Sequence, residues 1–195
     1  MTLSWMFAKL RSAFYSNLLN APKLNVGPGC SIRGMRRISI GRNVSIYGGL
    51  WLEAVQNYRG QSFAPNISIG DRVSFSKDVH VTCIERIEIG DGVLFGSRVY
   101  VSDHNHGRYS GERQSHPSES PAERELAPGG PVIIEDNVWI GDNVVIVGPV
   151  RIGAGTIVAA NSVVKGDTPP SMMIAGAPAK PIKQFNPKKK VWSKV

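Results

Sequence analysis

Between Val132 and Gly166 an aliphatic residue returns at every sixth position: Ile134, Ile140, Ile146, Ile152, Val158 and Val164. A second series, Val138, Val144, Val150, Thr156 and Ser162, stands four places after each of the first five. A period of six matches neither the 3.6-residue period of an amphipathic helix nor the plain alternation of a half-buried strand. It predicts a solenoid of short strands separated by corners, where Gly, Asn or Asp tolerates positive φ, with three strands completing one triangular turn. Each turn would stack on the last about 4.8 Å away through parallel β hydrogen bonds, with the six-period aliphatics filling the interior.

Upstream the same pattern is looser. Val26, Ile32 and Ile38 keep one register, and Ile40, Ile46 and Leu52 another, two residues later. Ile69, Phe75 and Val81 resume the period, and Ile89, Phe95 and Val101 follow after a two-residue slip. Such offsets predict bulged corners. Two stretches break the period, 53–66 with Gly60 and Pro65, and 103–130, rich in Ser, Pro, Glu and Gly; both are expected as loops outside the coil. Thr168-Pro169-Pro170 is expected to end the coil. The chain then divides into an N-terminal segment (1–22), a coil (23–167) with its two excursions, and an extension (168–195) whose tail beyond the Ala175-Gly176-Ala177-Pro178 turn is expected to be helical or irregular.

Residues 3 to 19 carry Leu3, Met6, Phe7, Leu10, Phe14 and Leu18 at three- and four-residue spacing, an amphipathic helix ended by Asn20 and Pro22. Two roles suit it. It can cap the open end of the coil, or Trp5, Phe7, Phe14 and Tyr15 with Lys9 and Arg11 can seat it on a membrane surface.

The net charge of +8 sits at the ends: residues 1–25 contribute +3 with no acid, 26–164 contribute −1, and 165–195 contribute +6. A basic stripe with interleaved aromatics on the folded body is missing, so no nucleic-acid partner is expected. The basic ends suit a polyanionic ligand or an anionic membrane surface. Cys30 and Cys83 form neither a metal-ligand spacing nor a disulfide framework, and both read as buried thiols within β sequence. The longest apolar run is far short of a membrane span, and the start lacks the features of a secretory signal. The expectation is a cytoplasmic protein, at the inner face of the membrane if its helix touches lipid.

Two runs carry a family likeness: Asn137-Val138-Trp139-Ile140-Gly141-Asp142-Asn143-Val144 and Ala175-Gly176-Ala177-Pro178-Ala179-Lys180. Between Val26 and Phe185 the chain resembles the hexapeptide-repeat acyltransferases, and among them the acetyl-CoA-dependent O-acetyltransferases of sugars and bacterial polysaccharides. The resemblance implies an all-β fold, a left-handed parallel β-helix, with acetyl-CoA as co-substrate, no metal, a saccharide acceptor, and a homotrimer with sites between subunits. It also implies a general-base histidine at the start of an excursion. Ungapped alignment from the preceding strand places that role on His106, with His104 as the fallback and a substrate-binding candidate. Asp103 either orients an imidazole, binds a sugar hydroxyl or caps the turn. Ser76 stands where many relatives have a substrate-orienting Asn. The residues matching the coenzyme A site are Trp139, Asp142, Ala160, Lys165, Lys180 and Lys183; Gly166 stands where relatives often have Lys.

The chemistry explains why a histidine is wanted. A sugar hydroxyl must lose its proton as it attacks, and an imidazole can take that proton and return one to the departing thiolate. The thioester is already activated, so direct transfer in a ternary complex is expected, without a covalent enzyme intermediate. Rival readings are a zinc enzyme of the carbonic anhydrase type using His80, His104 and His106, and a non-enzymatic hexapeptide scaffold. The acceptor and the acyl group are left open, an antibiotic or amino sugar among the acceptors.

Overall fold

The structure, a computed structural model, describes residues 3–195. Three sheets of nine, six and five strands form the body, parallel except for the last two strands of the nine-stranded one, and as far as Val163–Val164 the coil visits them in rotation. The six-residue period is the cause. Ile134, Ile140 and Ile146 lie on the five-, nine- and six-stranded faces in turn, and Ile152, Val158 and Val164 pair with them one turn later. All six are buried, as are Val138, Val144, Val150, Thr156 and Ser162. Phe75 and Phe95 stack inside the coil at 4.7 Å, one above the other.

Corners are held by carboxylates that reach one turn back. Asp71, Asp91 and Asp136 each accept a backbone N–H through Oδ1, from Arg42, Asp71 and Asp91 respectively, all at 2.8 Å. The residue at Gly90 must be glycine for space, since a Cβ there would lie 2.8 Å from the Asp136 amide nitrogen. The two-residue slip before Ile89 appears as a distinct corner, Cys83 to Arg86, between the strands His80–Cys83 and Arg86–Ile89.

The excursions are folded arms. Residues Asn57–Tyr58 and Gln61–Ser62 make a hairpin, and His104–His106 pairs antiparallel with Leu126–Pro128. The two arms clasp each other: Gln61 exchanges hydrogen bonds with the Leu126 backbone at 2.8 and 3.0 Å, and the Tyr58 hydroxyl donates to the Ala122 carbonyl at 3.0 Å. The C-terminal part departs from its expectation. Thr168 still bridges Ile152, and Met172–Gly176 adds one more parallel strand beside Ile157–Val158. The tail is neither helical nor irregular: Ala179–Asn186 and Val191–Lys194 extend the nine-stranded face as antiparallel strands. The unpaired edge of Met172–Gly176 is the reason, because it offers a full ladder of backbone partners to whatever chain follows the turn.

The helix Leu3–Leu18 lies against the first strand, Asn25–Val26. Arg11 Nε donates to the Val26 carbonyl at 2.8 Å, and the Val26 amide donates to Ser12 Oγ at 3.0 Å, so helix side chains take up the backbone groups of an edge strand. No helix of the described residues is long and apolar enough to cross a membrane.

Candidate active site

On the six-stranded face, outward residues of successive turns fall in register. Trp51, His80 and Tyr100 form one row, each standing just before an inward aliphatic (Leu52, Val81, Val101). Glu53, Thr82 and Ser102 form the neighbouring row. Trp51 and His80 stack at 4.9 Å, and Tyr100 meets the His80 ring edge-on. The Trp51 indole donates to Glu53 at 2.7 Å. With the two arms as its wall, this face encloses a cavity of about 480 Å³ that His104 and His106 also line. Burial holds the His80 imidazole below its ordinary pKa, although the Glu53 carboxylate pulls the other way. A larger cleft, about 870 Å³, opens beneath the tip of the long arm among Arg108, Arg113 and Arg124, and none of the histidines lines it.

Asp103 is fully buried, and five donors converge on its carboxylate. Oδ1 accepts from the Ile84 amide at 2.9 Å and from His104 Nδ1 at 3.0 Å. Oδ2 accepts from the Glu85 and Arg86 amides at 2.8 and 2.9 Å and from the Cys83 thiol at 3.1 Å. Burial alone would raise the Asp103 carboxyl; the hydrogen bonds from His104, Ile84, Cys83 and Glu85 together outweigh it and hold the group below the usual carboxylate range. The same burial, with the adjacent carboxylate, pushes the Cys83 thiol far up, so it stays protonated and serves as a donor. One carboxylate thus satisfies the slipped corner at Cys83–Arg86 and grips the imidazole of its own neighbour.

His104 is itself nearly buried. Its Nδ1 is engaged by Asp103, with Ser102 Oγ at 3.5 Å. That leaves Nε2 as the nitrogen without a hydrogen-bond partner among the described residues, in a side chain that lines the cavity. His106 is exposed at the rim, where its Nδ1 stands 3.4 Å from the Tyr58 hydroxyl. No carboxylate faces it within ion-pair distance among the described residues.

The remaining expected residues do not join this cavity. Ser76 lies in Ser74–Lys77 and Trp139 in Trp139–Ile140, both on the nine-stranded face. Trp139 is half exposed beside Leu94 and Ile157. Lys180 and Lys183 lie on the same face, in the added strand Ala179–Asn186, while Ala160 and Lys165 occupy exposed corners. Asp142 is committed to the coil: its Oδ1 accepts the Ser97 amide at 2.7 Å. His80, His104 and His106 share one cavity. Even so, no three His, Cys, Asp or Glu side chains among the described residues are grouped to hold a metal ion. Sequence reasoning missed Trp51, Glu53, Thr82 and Tyr100 as cavity walls. Their signal was present, since each occupies an outward position at a fixed offset from the inward series.

Comparison with known proteins gives this geometry a class. Residues 131–166 match the bacterial transferase hexapeptide family model, which describes six repeats. The chain is 39% identical over 166 residues, 85% of its own length and 81% of the relative's, to the putative lipopolysaccharide biosynthesis O-acetyl transferase WbbJ of Escherichia coli (strain K12). It is 32% identical over 136 residues to the galactoside O-acetyltransferase of the same organism, covering 66% of this chain and 59% of that one. Among solved structures, AntD, an N-acyltransferase from Bacillus cereus in complex with dTDP and 3-hydroxybutyryl-CoA, superposes with a TM-score of 0.68 at 23% identity, covering 92% of this chain and 90% of that one; at that identity it speaks for the fold. The protein is an acyltransferase. It belongs to the hexapeptide-repeat acyltransferases, with relatives named as O-acetyltransferases.

Proposed function

We propose that the protein moves an acetyl group from acetyl-CoA to a saccharide hydroxyl in the synthesis of a cell-surface polysaccharide, with His104 as the general base and Asp103 as the residue that positions it. The observation that carries this reading is the buried Asp103–His104 pair at the wall of a cavity whose other face carries aromatic and hydroxyl-bearing side chains. It exchanges the roles assigned from sequence alignment, where His106 was the base. An exposed imidazole facing a tyrosine hydroxyl has no carboxylate to fix its tautomer, whereas His104 has one.

In the proposed step His104 Nδ1–H donates to Asp103, so Nε2 is free to take the acceptor's hydroxyl proton as the oxygen attacks the acetyl carbonyl carbon. The tetrahedral intermediate collapses with cleavage of the C–S bond, and Nε2–H returns the proton to the thiolate. The products are an acetyl ester and free coenzyme A. We assign His106 and Tyr58 to the acceptor side of the cavity mouth. Cys83 takes no part, because its thiol is spent on Asp103.

Acetyl-CoA is placed along the nine-stranded face, where Trp139 offers an exposed indole and Lys180 and Lys183 can meet phosphates. Since these lie on a different face from the His104 cavity, a single chain does not assemble both halves of the site. A homotrimer of left-handed coils, each bringing its nine-stranded face against a neighbour's six-stranded face, would unite them. The reaction is placed in the cytoplasm, at the inner face of the membrane.

The test is thiol release from acetyl-CoA across free, nucleotide-linked and lipid-linked sugars. Acceptor-dependent release is expected, with the KM for acetyl-CoA raised about tenfold when both Lys180 and Lys183 are changed to Ala, as expected for losing charge-assisted contacts to phosphate. No release with any acceptor and no binding of acetyl-CoA would return the chain to the scaffold reading.

A further inference from the structure

The N-terminal helix is amphipathic in an inverted sense. It meets the body through Ala8, Arg11, Ser12, Tyr15, Ser16 and Leu19, the partly or fully buried positions. Its large apolar residues point the other way: Met6, Phe7, Leu10, Phe14 and Leu18 are 51–61% exposed, at spacings that put them on one face. Single exposed apolar side chains are ordinary, but five in a row on one helix face mark an interaction surface. Capping the coil does not account for them, because the capping contacts are made by the opposite face.

The charge around this helix selects the partner. The first 52 residues hold seven Lys and Arg and not one Asp or Glu; the first acid in the chain is Glu53. Arg33 and Arg42 are matched by Glu53 and Asp71 from later turns. Lys9, Lys23, Arg36 and Arg37 are exposed and form no ion pair among the described residues, and Arg36 and Arg37 stand in a turn of the first coil, at the same end as the helix; Arg11 is turned to the body, where it donates to the Val26 carbonyl. We propose that this end of the coil is a docking surface for an anionic lipid bilayer. The apolar stripe enters the boundary between headgroups and acyl chains, while the unpaired cations face the headgroups. A second copy meeting the same surface symmetrically would bring together two patches that both lack acids, which like-charge repulsion opposes. A bilayer containing anionic lipid supplies both the apolar phase and the countercharge.

The docking surface is separate from the catalytic reading above and is tested without it. Wild-type protein is co-sedimented with phosphatidylcholine vesicles with and without phosphatidylglycerol, beside the Phe7→Ser/Leu10→Ser/Phe14→Ser and Arg36→Glu/Arg37→Glu variants. Thermal melts establish that each is folded, and sedimentation velocity without vesicles reports the oligomeric state. The expected result is wild-type binding to phosphatidylglycerol vesicles that weakens with salt. The partition coefficient of the triple Ser variant should fall at least about tenfold, and the double Glu variant should lose only the phosphatidylglycerol-dependent part. Equal partitioning of wild type and triple Ser variant would overturn the proposal. So would wild-type indifference to vesicles combined with dissociation of an oligomer in the triple Ser variant, which would make the stripe a contact between copies.

Discussion

Replacing His104 with Ala is expected to lower kcat about 10²- to 10⁴-fold, the usual range for losing a positioned general base, while the same change at His106 costs far less. The two side chains are two residues apart on one short strand, so the comparison holds the backbone, the arm and the cavity constant. What differs is support. His104 is nearly buried with Nδ1 held 3.0 Å from a buried carboxylate, whereas His106 stands on the rim opposite a phenol. A base must present one unprotonated nitrogen in a fixed direction, and only the first arrangement enforces that. His106→Ala should therefore act mainly on the acceptor KM, through the lost contact with Tyr58. The measurement is steady-state thiol release with the acceptor found to be active, together with acetyl-CoA affinity, which neither change should move by more than about twofold. A large kcat loss in His106→Ala with His104→Ala near wild type would reverse the assignment.

The three-faced coil was legible because one residue in six must face inward, and a periodicity that strict leaves little freedom for another fold. Both excursions were legible as breaks in it. That they fold into arms clasped by Gln61 and Leu126 was not, since the pairing joins residues 65 positions apart whose local composition reads as loop. The strand Ala179–Asn186 was hidden for a related reason. With Pro181, two lysines and no clean alternation, its conformation comes from the edge it pairs with. The choice between His104 and His106 rested on alignment register, and nothing local distinguishes them. The distinguishing fact is Asp103's attachment to a corner some twenty residues earlier. Its one sequence trace was the two-residue slip between Val81 and Ile89, which marks the corner whose amides needed an acceptor.

In the proposed mechanism Asp103 is where stability and catalysis meet. Asp103→Ala removes the acceptor that the Ile84, Glu85 and Arg86 amides share; a buried amide left unpaired costs about 1–3 kcal/mol before relaxation, in full at Ile84 and less at the partly exposed Glu85 and Arg86. Because neighbouring losses do not add fully, the expected destabilisation is about 3–5 kcal/mol, seen as a lower midpoint in urea with the slope unchanged. Asp103→Asn keeps the shape but turns one oxygen into an NH₂ that faces donors. It should cost less stability than Ala and still lower kcat about 10²-fold, since the imidazole loses its fixed orientation. Two carboxylates are held below their ordinary range, the buried Asp103 and the partly exposed Glu135, whose oxygens accept from Arg151 and from the Ala154 amide, and for Asp103 the consequence with pH is direct. Its native pKa is held below its unfolded value, so the unfolded state binds the extra proton. Its contribution is therefore complete above the unfolded carboxyl value near 4 and is lost as pH falls through the native value. The neutral-favouring environment of His80 acts in the same direction but higher, with stability falling as pH drops below about 6.5. Wild-type stability should thus decline toward acid in two stages, and Asp103→Asn should keep the upper stage while flattening the lower. If the lower stage persists unchanged in Asp103→Asn, it belongs to Glu135 and not to Asp103, and the link between the Cys83–Arg86 corner and His104 is lost.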